Sequence, residues 1–315
     1  MSEVGRQLAE AFRTMHIRGY CCRDISANNF LFCAKTGNVM ICDNDNVVVD
    51  KQKIGSILGT PQFMAPEVIL GNERPSTLTD QHSLAVLLFM LLCGGHPFHG
   101  KREYNIKIFD GVAAQEIYGR NPVFVFDPNK GSNRLPQEPG YRHVNKYWNV
   151  LPTEIRKLFT KAFTIGLANP AARVTDLEWK NALFRMQGQC HICSCGAENF
   201  WDPYQKDQKA CWHRGCSVVY PKKLYIDGGV TSVLLAKPKQ QLTTLHFGEK
   251  SSTTLIGEME KHPSDASLVL LRNKTAETWK AVLGNQQIEI PSDRAVPLHI
   301  GIQIQAGKHE LIVYP

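Results

Sequence analysis

Val4, Leu8, Ala11, Phe12 and Met15 recur at helical spacing and are followed by Gly19, which predicts an amphipathic helix over residues 3–18 closed by a turn. Short β-like runs come next at Phe30-Leu31-Phe32 and Val39-Met40-Ile41-Cys42, and Lys35-Thr36-Gly37-Asn38 between them suits a hairpin turn. A second helix is predicted from about Asp80 to Leu92. Its apolar run, Leu84 to Leu92, is well short of the roughly 20 residues a bilayer-crossing helix needs, so it reads as a buried helix. Between Phe98 and about Tyr147 the chain is rich in Gly, Pro and Asn, the texture of a long irregular connection. Helical patterning returns over Leu151 to Phe163, where Leu158, Phe159, Ala162 and Phe163 form an apolar face, and again over Asp176 to Met186.

Beyond residue 190 the pattern shifts to short apolar runs separated by turn residues: Ser232 to Leu235, Thr253 to Ile256, Leu268 to Leu271, Gln287 to Ile290, Ile300 to Ile304 and Leu311 to Val313. Such spacing predicts an all-β sandwich or barrel. The stretch from Pro238 to Leu242 reads equally as a linker or as an irregular strand entry. No internal repeat is visible.

The chain has 315 residues, 43% hydrophobic and 21% charged, as an ordinary globular protein of more than one domain does. Lys and Arg exceed Asp and Glu by 36 − 29 = +7, but the basic residues are scattered and Lys222-Lys223 is the densest pair. Trp201, Tyr204 and Trp212 lie nearby, yet a stacking platform for nucleic acid needs a longer basic track, and a nucleic-acid partner is not expected. The Ser2-Glu3-Val4-Gly5-Arg6 start has no apolar stretch of the signal-peptide kind, so a cytoplasmic location and no membrane partner are expected. Of ten cysteines, Cys190, Cys193, Cys195, Cys211 and Cys216 are clustered, which in that compartment suggests metal rather than disulfides.

After the first helix comes Gly19-Tyr20-Cys21-Cys22-Arg23-Asp24-Ile25-Ser26-Ala27-Asn28-Asn29-Phe30-Leu31. This segment resembles the protein-kinase catalytic loop H-R-D-L-x-x-x-N, with Asp24 and Asn29 at the family's spacing. Asp43, in Cys42-Asp43-Asn44-Asp45-Asn46, stands where that family has its metal-binding D-F-G. Gly59-Thr60-Pro61-Gln62-Phe63-Met64-Ala65-Pro66-Glu67 resembles the end of the activation segment, G-T-x-x-[YF]-M-A-P-E. Asp80-Gln81-His82-Ser83-Leu84-Ala85-Val86-Leu87-Leu88 is similar to the kinase helix D-x-x-S-L-G-V-L-L, Gly94 to Phe98 to its G-x-x-P-F ending, and Pro170-Ala171-Ala172-Arg173 to P-x-x-R near the end of the domain. Five motifs in the family's order identify the first part of the chain as similar to the C-terminal lobe of a bacterial-type serine/threonine protein kinase.

The resemblance implies roles. Asp24 would accept the proton of a substrate hydroxyl, and Asn29 and Asp43 would hold Mg²⁺ with ATP if the chain is active. Arg23, Thr60, Glu67, Asp80 and Arg173 would be structural: Glu67 and Arg173 as a buried ion pair, Asp80 as an acceptor for catalytic-loop N–H groups, Thr60 as a hydroxyl beside Asp24. Three positions depart from the pattern. Cys22 replaces the His, Ser26 the Lys two residues after the Asp, and Asp45 the Gly of D-F-G. Losing that Lys removes positive charge from the transferring phosphoryl group. Only 23 residues precede Asp24, too few for a Gly-rich loop and an ATP-binding Lys, so an absent N-terminal lobe and an open apolar face are expected.

Cys193, Cys195, Cys211 and Cys216, with Cys190 or His213 as substitutes, resemble the two turns of a zinc ribbon and would hold a structural Zn²⁺. In the tail, Leu255-Ile256-Gly257, Trp279 and Ile300-Gly301-Ile302 are similar to a forkhead-associated β-sandwich, but Glu258 follows Gly257 where that family has Arg, and its S-x-x-H motif is missing. The expected class is α+β and multidomain: a kinase-like, mainly helical lobe over 1–187, a zinc-ribbon-like segment over 188–225 and a sandwich-like domain over 226–315. Two functions compete. One is a Ser/Thr kinase that transfers phosphoryl groups to protein hydroxyls once another polypeptide supplies the N-lobe; the other is a truncated pseudokinase that docks protein partners.

Overall fold

The structure is a computed structural model, and it describes all residues except 34–35, 43, 51–58, 206–207, 230, 236–239, 250–252 and 266. The chain forms two compact units, Met1–Leu183 and Phe184–Pro315.

The first unit opens with α1 (Ser2–Ile17), which buries Val4, Leu8 and Phe12 on the stripe that the periodicity predicts. Gly5 lies on the same stripe because the helix packs closely: a Cβ there would stand 3.1 Å from a Leu88 methyl. Two short antiparallel pairs follow. β1 (Tyr20–Cys22) pairs with a later strand, and β2 (Phe30–Phe32) pairs with β3 (Val39–Ile41) as the anticipated hairpin. The partner of β1 is β4 (Val47–Val49), in the register Tyr20↔Val49. After the short α2 (Pro66–Ile69) comes the central α3 (Thr77–Cys93), buried on nearly all sides as its continuous apolar run requires. Ser76 and Thr79 cap its start reciprocally, and Gly94 ends it at φ +73°, a conformation that favours glycine.

The connection that reads as irregular contains α4 (Lys101–Tyr104), α5 (Gly111–Ala114) and α6 (Arg142–Val150). The last carries Val144, Tyr147 and Trp148 at helical spacing, but it is only nine residues long and follows chain rich in Gly, Pro and Asn, which masks it. α7 (Thr153–Ala162), α8 (Ile165–Ala168) and α9 (Asp176–Gly188) complete the helices. Phe89 from α3 meets Phe124, Phe159 and Phe163 edge to face with centroids 5.2–6.0 Å apart, the core on which the lobe is built. Among the described residues no helix is long and apolar enough to cross a membrane.

The second unit starts with the hairpin of β5 (Cys190–Ile192) and β6 (Glu198–Phe200). The strands that follow are β7 (Lys223–Ile226), β8 (Thr231–Leu234), β9 (Gln241–Thr243), β10 (Leu255–Lys261), β11 (Val269–Asn273), β12 (Trp279–Leu283), β13 (Gln286–Ile290), β14 (Ala295–Pro297), β15 (Gln303–Ala306) and β16 (His309–Tyr314). They form two antiparallel sheets, β14-β11-β10-β9 and β13-β12-β15-β16-β7-β8. Leu224, Val233, Trp279, Ile304 and Leu311 from the larger sheet share one buried core with Leu242, Met259, Leu271 and Val296 from the smaller. Pro238 and Lys239 lie outside the described residues; Gln241 and Leu242 belong to β9.

Candidate active site and cysteine cluster

Asp24 lies in the loop between β1 and β2, where two parts of the chain far apart in sequence meet. Thr60 donates twice to Asp24 Oδ1, from its hydroxyl at 2.9 Å and from its backbone N–H at 3.0 Å. Asn29 Nδ2 donates to the Asp24 carbonyl at 2.9 Å, and the Cys42 N–H reaches the Asn29 carbonyl at 2.8 Å. The carboxylate is therefore held from one side by the loop ahead of α2 and its backbone from the other by Asn29. Gly59 permits the approach. Its φ is +79°, and a Cβ would stand 2.5 Å from the Arg23 carbonyl oxygen, so no other residue fits without moving the loop.

Arg23 donates from its backbone to Asn46 at 2.9 Å and from Nη2 to the Asp45 carbonyl at 3.3 Å, which ties the loop to the segment after β3. Cys22 places its thiol 3.6 Å from the Asp24 carbonyl. Ser26 is buried, 5% exposed. Asp43 lies outside the described residues.

The loop is anchored underneath by Asp80, near the start of α3, which accepts the Cys22 N–H at 2.7 Å and His16 Nε2 at 3.1 Å. His16 is a functional position that the sequence reading missed. Its only signal is placement four residues after the buried Phe12, on the inward face of α1. Burial pulls the His16 pKa down, but Asp176 and Asp80 outweigh it and hold the imidazole up at about 9; burial keeps the Asp80 carboxyl up at about 6 in spite of His16. At neutral pH both are charged.

A raised histidine pKa contributes stability in full below the unfolded value near 6.5 and loses it as pH rises through about 9. The stability of this lobe is thus expected to fall by roughly 3 kcal/mol between pH 6.5 and 9, and the fall should shrink strongly in His16→Gln. Buried His82 and His96 have pKa values pushed well down by desolvation, so their stability is complete above pH 6.5 and does not change in this window. Urea titrations at several pH values check the slope; one that is the same in the variant contradicts the assignment.

Glu67 and Arg173, 106 positions apart, form a two-pronged pair with Nη1–Oε1 at 2.7 Å and Nη2–Oε2 at 2.8 Å. Arg173 also donates to the carbonyls of Leu78 and Gly166, so the guanidinium joins α2, α3 and α8. His96 is a second residue that the sequence reading passed over. Its Nε2 lies 2.8 Å from the Gln62 carbonyl and its Nδ1 accepts the Phe98 N–H, which fixes the tautomer and ties the turn after α3 to the segment carrying Thr60.

The sequence profile of the family described as "Protein kinase domain" matches residues 1–164, just over half of the chain. The chain belongs to the protein kinase domain family. Similar proteins include "Serine/threonine-protein kinase YPK3" of Saccharomyces cerevisiae, 28% identical over 202 residues, 57% of this chain and 38% of that protein. Human "MAP kinase-activated protein kinase 2" is 24% identical over 190 residues, 59% of this chain and 41% of that protein. "CDPK-related kinase 4" of Arabidopsis thaliana is 31% identical over 101 residues, 31% of this chain and 17% of that protein. The chain thus spans less than half the length of each of these three relatives. Against the kinase frame, Leu31 and Met40 stand out: cross-strand neighbours on the β2–β3 hairpin, they are 57% and 63% exposed.

In the second unit Cys193, Cys195, Cys211 and Cys216 bring their sulfur atoms within 4.8 Å of one another. Cys193 and Cys216 are 3.1 Å apart and Cys195 and Cys211 3.5 Å. A tetrahedral shell with metal–sulfur bonds of about 2.3 Å needs sulfurs about 3.8 Å apart, so the donor set fits a metal ion. Two tight turns present the thiols, each closed by a glycine at positive φ: the Gly196 N–H bonds the Cys193 carbonyl and the Gly215 N–H the Cys211 carbonyl, both at 2.8 Å. The Asn199 amide lies 3.4 Å from the Cys211 sulfur. Cys190 is outside this group, buried in β5, and His213 is exposed beside it.

Proposed function

We propose that this chain provides the catalytic-loop half of a serine/threonine protein phosphotransferase. The observation that carries the reading is the pair of hydrogen bonds that Thr60 donates to Asp24 Oδ1. It fixes one carboxylate oxygen and leaves the other to orient a substrate hydroxyl and accept its proton. Bound Mg²⁺ and ATP would supply the transferable phosphoryl group; Asn29 and Asp43 are the residues proposed to hold the metal, Asp43 by sequence position alone. A hydroxyl at position 60 favours Ser or Thr substrates on protein chains. The exposed Leu31 and Met40 face is the place proposed to meet a nucleotide-binding lobe.

The test is transfer from Mg-ATP to a Ser/Thr peptide library by the full-length protein. Asp24→Asn is expected to reduce the rate by about 10²–10⁴-fold, the usual scale of a positioned general base. Activity that survives the change would remove Asp24 from the mechanism.

A second reading, a pseudokinase with a docking role, has its own observation. Ser26 is buried at the position where the family carries a lysine, and Asp45 adds a carboxylate where it has glycine. This reading expects no transfer by the wild-type protein and no thermal shift with Mg-ATP, whereas a ligand at 100 times its Kd would stabilise by about 2.7 kcal/mol.

In the second unit we infer a structural zinc ion held by Cys193, Cys195, Cys211 and Cys216, since four thiolates leave no open position for chemistry. The sandwich is read as forkhead-associated-like in architecture with a structural or docking role. In support, Gly257 is glycine because a Cβ would press within about 3.2 Å of the Trp279 ring, a packing demand rather than a ligand contact.

A further inference from the structure

A cavity of about 430 Å³ opens between the loop 125–137 and the start of α6. Its lining joins Phe126 and Trp148 with Arg134, Arg142 and Gln137. The two rings are stacked 4.4 Å apart and 4° from parallel, and Trp148 packs in turn on Phe124 and Phe89 of the core, so that part of the wall is rigid. Arg134 and Arg142 are exposed at the rim, and neither guanidinium has a hydrogen-bond or ion-pair partner among the described residues. Three other arginines of this unit are held by carboxylates: Arg6 by Glu3, Arg102 by Glu116 and Arg173 by Glu67. Asp127 also lies on the lining; its Oδ1 accepts the N–H groups of Asn129 and Lys130 at 2.8 and 3.1 Å.

We propose that this cavity is a binding site for a phosphate monoester carried on an apolar or aromatic body. Two guanidinium forks with no carboxylate partner of their own, both on the lining of one cavity, offer donors to the several acceptor oxygens of a phosphate dianion. The stacked Phe126 and Trp148 offer the apolar surface for the rest of the ligand. The volume falls in the range of small-ligand pockets, roughly 300–1,000 Å³. The site uses none of the residues around Asp24, so it stands whether or not the chain transfers phosphoryl groups.

Isothermal titration of the full chain with phenyl phosphate, a phosphothreonine peptide and inorganic phosphate tests it. Saturable binding of at least one of the two organic esters, at least tenfold tighter than inorganic phosphate, is expected, and the better of the two identifies the source of the group. Arg134→Ala combined with Arg142→Ala should weaken that binding at least tenfold while the melting temperature stays unchanged, since both side chains are exposed. A milder change, Trp148→Phe, should retain phosphate binding and weaken the preference for an organic ester. No saturable binding of either organic ester, binding no tighter than that of inorganic phosphate, or affinity unaltered in the double variant would overturn the proposal.

Discussion

Replacing Glu67 by Ala is expected to lower the unfolding free energy of the helical lobe by about 3–5 kcal/mol, the cost of leaving a buried charge uncompensated. Arg173 is 3% exposed and keeps only the carbonyls of Leu78 and Gly166 when Glu67 is gone. Two carbonyl dipoles do not replace a carboxylate that accepts at both oxygens. The converse change leaves a less buried carboxylate, since the Glu67 side chain is 16% exposed against 2% for Arg173. Water reaches Glu67 more easily, so more of the penalty in Arg173→Ala should come from lost packing. Exchanging both residues for Met should recover much of the loss, because an apolar pair removes the desolvation cost together with the attraction. Denaturant midpoints at constant slope measure all four proteins. A loss below about 1 kcal/mol for Glu67→Ala would mean that the pair behaves as a surface ion pair.

A second large effect is expected at the cysteine cluster. Structural zinc in small four-ligand sites contributes on the order of 10 kcal/mol or more to local folding, so a chelator should unfold the segment around the two cysteine turns. The cluster has its own small core, Cys193, Ala197, Cys211 and Val218, which shares no residue with the core of the two sheets. The sandwich should therefore survive. Plasma mass spectrometry of the purified chain is expected to find about one zinc per chain, and Cys211→Ser to lose most of it. Limited proteolysis should then cut near residues 188–220 in the variant while β10 to β16 stay protected. Wild-type protein that contains no metal and resists proteolysis equally with and without chelator would contradict the site.

How far the sequence could be read depended on the range of the signal. α1 and α3 were legible because an apolar stripe and a continuous apolar run are local patterns, and both end on glycines that the backbone requires. α6 was not, because its stripe of Val144, Tyr147 and Trp148 spans less than two turns and follows chain whose Gly, Pro and Asn content reads as a loop. β1 and β4 are three residues each, too short for alternation to register, and they pair only because the loop between them folds back. The strand at Ala295–Pro297 is similarly short, and its proline occupies an end of the sheet order, where a missing N–H costs little. Asp24, Thr60, Glu67 and Arg173 were legible through motif resemblance, and the structure adds their contacts. His16 and His96 were invisible by contrast: a lone histidine on an inward face carries no pattern, and its importance lies in partners 64 and 34 positions away.

The proposed chemistry depends on Thr60 holding the carboxylate of Asp24 in its working geometry. The direct measurement is the rate of phosphoryl transfer to a hydroxyl peptide by the full-length protein, compared with Thr60→Ser and Thr60→Ala. Serine keeps the hydroxyl and the backbone N–H, so it should stay within a few-fold of the wild type. Alanine removes one of the two bonds to Asp24 Oδ1 and should lower the rate by roughly tenfold through looser positioning of the carboxylate, with a stability cost of about 1.5 kcal/mol. Equal rates for Thr60→Ala and wild type, or an equal loss in Thr60→Ser and Thr60→Ala, would contradict it.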